Sequence, residues 1–240
     1  MVIKLSKPVT SWTEATKFLV NNISTAKRGH GGYYFNDVVI EDFSFNLDPF
    51  ATCFYRNPKG KMSTLRKQYL NQESLHKIFE DKVVTVSMVG GPKWGTTAGN
   101  KHCMASLQID HTNKTVEVYF RNSDFFKKFL VDIYFVEEIL KEVGVTGYKY
   151  SCHFTQLTLR TPFTYIYLEQ VFKGAFSESG EEEVKAYLSS NNPLIKDFLD
   201  YYKGIQDKKI SWKSLERAQR VMRESASVYK IIEPYLGGTK

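Results

Sequence analysis

Cysteine is scarce in this 240-residue chain: Cys53, Cys103 and Cys152 are the only three, irregularly spaced. So few thiols, so placed, argue against a disulfide framework and for a reducing cytosol. Long apolar runs are missing. None approaches the roughly 20 residues that cross a bilayer, so no membrane partner is expected. The opening MVIKLSKPVT does not read as a signal peptide. The expected setting is cytoplasmic. Runs of Lys and Arg are missing too, as is any RNA-binding signature. The net charge of +7 therefore reads as solubility plus affinity for anionic ligands, and direct nucleic-acid binding is not expected. Gly90-Gly91-Pro92-Lys93-Trp94-Gly95 fails the Gly/Lys/Ser spacing of a nucleotide phosphate loop. There is no internal repeat, no low-complexity segment and no expected metal site.

What is present can fill a core. Hydrophobic residues make up 42% and aromatics 15%, enough for one large domain or a domain with a helical extension. Ser11-Trp12-Thr13-Glu14 is a capping box opening a helix to about Asn22, with Phe18 and Leu19 inward. A glycine-rich basic loop, Lys27 to Gly32, leads to a strand from Asp37 to Leu47. A loosely apolar helix spans Ser63 to Phe79, and Val83 to Val89 is a buried-type strand. His102 to Ile109 and Lys114 to Phe120 alternate about the polar turn Asp110 to Asn113, which makes a hairpin with Val116, Val118 and Phe120 on one face. Ser123 and Asp124 offer N-cap oxygens to a helix holding Phe129, Ile133, Val136 and Leu140. Tyr148 to Leu159 alternates as a strand, Thr161-Pro162 breaks it, and Thr164 can cap the next helix. Beyond Ser177 the pattern is helical and charged: Glu181 to Ser189, Pro193 to Tyr202, Ser211 to Tyr229.

Three residues of the central stretch bear chemistry. Cys103 starts one strand, Arg121 ends the next and Asp132 lies a few turns into the helix, so all three can point into one crevice. Taken singly, each has an ordinary reading. A lone cysteine is a small buried hydrophobe; a lone arginine is a surface ion pair worth about 0–1 kcal/mol. Asp132 is different, because Val131, Ile133 and Phe135 make its helix apolar nearly all round and favour a buried, paired carboxyl.

Their joint spacing resembles thymidylate synthase and its sister, the phage deoxycytidylate (dCMP) hydroxymethylase. In that family a strand carries a cysteine nucleophile and, five positions on, a glutamine; Cys103 and Gln108 stand there. A hairpin later come a phosphate-binding arginine, a polar pair and an aspartate; here these are Arg121, Asn122, Ser123 and Asp124. Eleven positions past the arginine the family reads the pyrimidine edge, and Asp132 stands there. The family also begins with a helix, a loop bearing a phosphate-binding arginine and a strand ending in a Phe-Asn-Leu-like run; Arg28 and Phe45-Asn46-Leu47 match. Tyr165 and Tyr167 occupy the His-x-Tyr positions that hold sugar and phosphate, with Tyr165 replacing the histidine. Lys82 is what remains of an arginine pair that reaches a phosphate across the dimer. The likeness covers residues 11–47 and 83–171.

The resemblance implies an α/β (α+β) fold: a thymidylate-synthase-like mixed sheet flanked by helices. The catalytic domain would span residues 1–176, and a helical C-terminal extension over 177–240 would pack on it. It implies a homodimer. The implied activity is folate-dependent transfer of one carbon from 5,10-methylenetetrahydrofolate to C5 of a pyrimidine deoxynucleotide monophosphate. Cys103 would add to C6 as a thiolate, its pKa lowered by Arg121. Arg121 and Arg28 would clamp the phosphate. Such enzymes serve phage that make modified DNA, which would set the chain in a host cytoplasm.

Asp132 bears on the choice of base. The family places Asn there for uracil, one donor and one acceptor. Cytosine reverses both needs, and a carboxyl group suits it: one oxygen accepts from N4–H2 and a protonated one donates to N3. The implied reaction is therefore a dCMP hydroxymethylase or methylase. Two alternatives stay open: a dUMP-specific thymidylate-synthase-like enzyme, or a non-catalytic member that binds nucleotide or a protein partner. Lys128 stands where the family commonly has glycine, His102 and Met104 replace proline and histidine, and the Glu-and-Trp-bearing helix has no counterpart, with Glu73 the nearest carboxylate.

Overall fold

The computed structural model of the chain describes residues 1–5, 11–43, 65, 83–87, 103–142, 144, 146–172, 186 and 192–206. They are mixed α/β and fall into two units. One comprises Met1–Leu19, Ala26–Arg28 and Tyr34–Leu159; the other comprises Val20–Thr25, Gly29–Tyr33 and the chain from Arg160 on.

The strands are β1 (Val2–Lys4), β2 (Lys27–Gly29), β3 (Gly32–Phe43), β4 (Val83–Ser87), β5 (Met104–Asp110), β6 (Thr115–Asp124) and β7 (Lys149–Arg160). They form an open mixed sheet in the order β1-β3-β7-β6-β5-β4, with β2 beside β3. β1 runs parallel to β3 and β6 parallel to β7; β5 is antiparallel to both of its neighbours. Parallel neighbours need a crossover. Helix α1 (Ser11–Asn21) lies between β1 and β3, and α2 (Leu130–Glu142) between β6 and β7. The β5–β6 hairpin turns on Asp110, whose carboxylate accepts the N–H groups of Thr112 and Asn113 at 2.8 and 3.0 Å. Those donors, Asn113 first, hold its pKa below the usual carboxylate range. Lys114 closes the turn at a φ of 53°.

Alternation predicted the inward face of β6, and Val116, Val118 and Phe120 are all buried. The helical period predicted Phe129, Ile133, Val136 and Leu140, and these are buried too. An aromatic cluster ties the layers together. Phe129 meets Phe43, Phe120, Phe125 and Phe154 at ring-centroid distances of 5.1, 6.0, 5.4 and 5.3 Å. Trp12 of α1 stacks on Phe125 at 5.4 Å. Each such pair adds about 0.5–1.5 kcal/mol beyond its buried area.

Several local expectations are corrected. Phe18 of α1 faces out, 36% exposed; the buried stripe is Trp12, Ala15, Thr16 and Leu19, with the Thr16 hydroxyl satisfied by the Trp12 carbonyl at 2.7 Å. β3 starts at Gly32, before the expected Asp37, and it changes phase twice. Phe35 is buried, then Val38 and Ile40, then Phe43. At each break an aspartate is left-handed, Asp37 at a φ of 51° and Asp42 at 58°. One extra residue per break resets the alternation, as a bulge does, and Asp is among the residues enriched in this left-handed backbone.

In the second unit, α3 (Thr161–Phe172) starts at Thr161 and not at a Thr164 cap. Pro162 falls in the first turn, where its missing N–H is no loss, and the Thr164 hydroxyl bonds the Arg160 carbonyl at 2.9 Å. Helix α4 (Pro193–Gln206) is capped by Asn192, whose side-chain oxygen accepts the Leu194 N–H at 3.0 Å. The Tyr33 hydroxyl donates to Asp197 of α4. The expected boundary at 176/177, the Phe45-Asn46-Leu47 run, Lys82, most of the Ser63 to Phe79 helix and the expected Ser211 to Tyr229 helix lie outside the described residues. Among the described residues no helix is long and apolar enough to cross a membrane.

Candidate functional site

Cys103 is held by the hairpin. It stands one residue before β5, and its carbonyl accepts the Arg121 N–H at 2.8 Å. The β5–β6 register shifts between Met104 and Ser106, so Ala105 is the extra residue beside it. β6 runs on to Asp124 and turns directly into a π-helical turn, Phe125–Phe129, that leads into α2. Ser123 and Asp124 therefore end a strand; they do not cap a helix. Such wide turns are uncommon and often mark functional sites.

Asp124, Lys128 and Asp132 follow at intervals of four, which sets them along one side of this segment. The Cys103 thiol faces that side. Lys128 Nζ donates to its Sγ at 3.6 Å, and the Asp132 and Asp124 carboxyls act on it through their charge. Cys103, Asp124 and Asp132 are 6%, 5% and 5% exposed. Lys128 is exposed, so its stem reaches the thiol from solvent. The cluster adjoins the carboxyl end of the parallel strand β6, the edge at which ligands collect in open α/β sheets.

Burial, then Asp132, push the Cys103 thiol above its ordinary range; Lys128 pulls it down by charge and hydrogen bond, and Asp124 pushes up again. The net direction is up, so the thiol keeps its proton at neutral pH. This corrects the expectation of a thiol activated by Arg121: the cation at the sulfur is Lys128. Asp132→Asn is accordingly expected to speed alkylation of Cys103 by iodoacetamide at pH 8 several-fold, and Lys128→Met to slow it. Rate measurements with peptide mapping check both signs; the reverse order would show that these groups do not set the thiolate fraction. The folded state holds this proton longer than the unfolded one. Its stabilising effect is thus whole below about pH 8.5 and is lost as pH rises toward the folded value.

Arg121 is exposed and lines a cavity of about 270 Å³ with Ala105, Tyr119, His153 and Thr155. There the His153 ring stacks on Tyr119 at 4.5 Å and 14°. The Tyr119 hydroxyl donates to Glu117, which is 3.9 Å from His153 Nε2. No sequence signal pointed to this cavity, because it depends on the pairing of Tyr119 with His153 across β6 and β7. Gln108 is half-buried opposite Glu117, on the face away from Leu107 and Ile109, and is not brought to the thiol. Asn122 is exposed. Ser123 is buried, its hydroxyl without a hydrogen-bond partner among the described residues. Arg28 is exposed on β2. Tyr165 and Tyr167 are buried in the second unit, Tyr165 edge-on to Phe198 at 5.6 Å. Lys128 stands where the resembled family commonly has glycine, and its spacing of four from Asp124 and Asp132 is the sequence signal of its place.

No protein-family model matches the chain, and no curated protein matches it.

Proposed function

We propose that the chain transfers one carbon from 5,10-methylenetetrahydrofolate to C5 of a pyrimidine deoxynucleotide monophosphate, with dCMP as substrate and a hydroxymethyl or methyl product. The homodimer, the cytoplasmic setting (a host cytoplasm for a phage protein) and the thymidylate-synthase-like fold belong to the same proposal. The observation that carries it is the meeting of the Cys103 thiol and the Asp132 carboxyl, distant in sequence, in one buried cluster. A nucleophile and a reader of the base edge need that proximity.

The chemistry follows from these groups. A pyrimidine is a poor nucleophile at C5; adding the Cys103 sulfur to C6 makes C5 enamine-like. Lys128 lies where its charge favours the thiolate. Asp132 opposes it in the free protein. Cytosine pairing requires that carboxyl to take up a proton and donate it to N3 in a hydrogen bond; this would remove the opposing charge, so the thiol would ionise more readily with substrate in place. The folate, when bound, supplies the one-carbon unit, and Asp124, a buried acceptor beside the thiol, suits the N–H edge of a pterin. A second reading, nucleotide binding without turnover, is favoured by the thiol's upward shift in the free protein.

Tritium release from C5 of dCMP and of dUMP, with the folate present, tests the reading. Asp132→Asn exchanges acceptor for donor at nearly constant volume. It should move the dCMP:dUMP ratio of kcat/KM toward dUMP by at least about tenfold, since one unpaired buried polar group costs about 1–3 kcal/mol. An unchanged ratio would remove the cytosine assignment. Calorimetric binding of dCMP without tritium release would leave the binder; no binding of either nucleotide would end both readings.

A further inference from the structure

We propose that Cys103 and Lys128 form an oxidative modification site, in which a hydroperoxide joins Sγ to Nζ through one oxygen atom. This inference does not rest on the nucleotide chemistry above. It rests on the contact itself: the ammonium nitrogen lies 3.6 Å from the sulfur, within hydrogen-bonding reach of it. Two almost wholly buried carboxyls, Asp132 and Asp124, act on the same thiol. Lys128 is exposed while the thiol is 6% exposed, so a molecule as small as peroxide can reach the sulfur along the lysine stem, and a bulky thiol cannot readily follow.

The first peroxide oxidises the sulfur by two electrons through the minor thiolate fraction that Lys128 favours, leaving a sulfenic acid and releasing one water. In open solvent a sulfenic acid goes on to a disulfide or to higher acids. Here its oxygen is formed beside an amine on a flexible four-carbon stem. A second peroxide removes two electrons from nitrogen, and the N–O bond forms. The S–O–N bridge keeps one oxygen, two waters leave, and the proton released from the ammonium passes to Asp132 or Asp124. The balance is one thiol, one ammonium and two peroxides giving one bridge, three waters and one proton. The cross-link ties the start of β5 to the π-helical turn and occupies both the sulfur and its cation. Reduction by two equivalents of a dithiol restores the thiol and the amine and releases the bridging oxygen as water.

The test treats the full, pre-reduced chain with hydrogen peroxide, maps its peptides by mass spectrometry, and then adds dithiothreitol. The expected product is a Cys103–Lys128 cross-linked peptide pair, heavier by one oxygen and lighter by two hydrogens, that dithiothreitol resolves. It should persist in Cys152→Ser and disappear in Lys128→Arg and Cys103→Ser. The proposal is overturned if Cys103 gains only two or three oxygens without a cross-link. It is also overturned if Cys103 pairs with Cys53 or Cys152, or stays unmodified at alkaline pH, where its thiolate forms, under peroxide in large excess over the dose that consumes a free cysteine peptide. The parent chain decides this alone, so a variant that folds poorly leaves the outcome intact.

Discussion

Replacing Cys103 by serine is expected to abolish release of tritium from C5 of dCMP, by on the order of a thousandfold or more, while the fold survives. In the proposed reaction a hydroxyl at that position, far less ionised than a thiol, would not supply the nucleophile that makes C5 reactive. The fold does not need the sulfur. The bond that closes the hairpin is from the Arg121 N–H to the Cys103 carbonyl, and serine keeps that carbonyl. A 5-fluoropyrimidine nucleotide with folate should trap the parent protein as a covalent adduct at Cys103, read by mass spectrometry. Cys152 is an internal control: it is 0% exposed, and burial alone pushes its thiol well above the ordinary range. An adduct on Cys53 or Cys152, or none on any cysteine, would remove Cys103 from the chemistry.

The second large effect is on stability. Phe129→Ala should cost about 3–5 kcal/mol, the range for truncating a buried aromatic. Phe129 is 0% exposed and touches four other rings, from β3, β6, the π-helical turn and β7. Those elements cannot all close on the space left behind. A fall in Tm of roughly 6–20 °C follows for a chain of this size. Phe18→Ala is the control, because Phe18 is 36% exposed and should cost about 1 kcal/mol or less. Denaturant unfolding of both variants checks the contrast. Equal losses would show that the ring cluster is not what holds sheet and helix together.

The two effects meet in one segment. The π-helical turn carries Phe129 into the core and Lys128 to the thiol. A change that loosens Phe129 is therefore expected to disturb the contact at Cys103 as well.

Which parts of this were legible in the chain follows from range. Val116, Val118 and Phe120 declare their face through the period of two in a strand, and Phe129, Ile133, Val136 and Leu140 through the period of a helix. The burial of Asp132 could be read from the apolar residues on either side of it. These are properties of neighbours in sequence, set by backbone geometry, and the sequence by itself determined them. The phase breaks of β3 could not be read, since they turn on Asp37 and Asp42 being left-handed, a conformation the surrounding sheet must hold. Nor could the partner of the thiol. Arg121 is opposite Cys103 in the ladder, yet it lines a cavity with Tyr119 and His153, and Lys128 reaches the sulfur. The direction of the thiol's pKa followed from that exchange, because burial and two carboxyls outweigh one exposed ammonium. Those outcomes depend on the register of β5 on β6, of β6 on β7, and on where the π-helical turn sets its side chains. Only the tertiary structure decided them, because pairing between distant strands and the packing of a helix on a sheet carry no local period from which to read them.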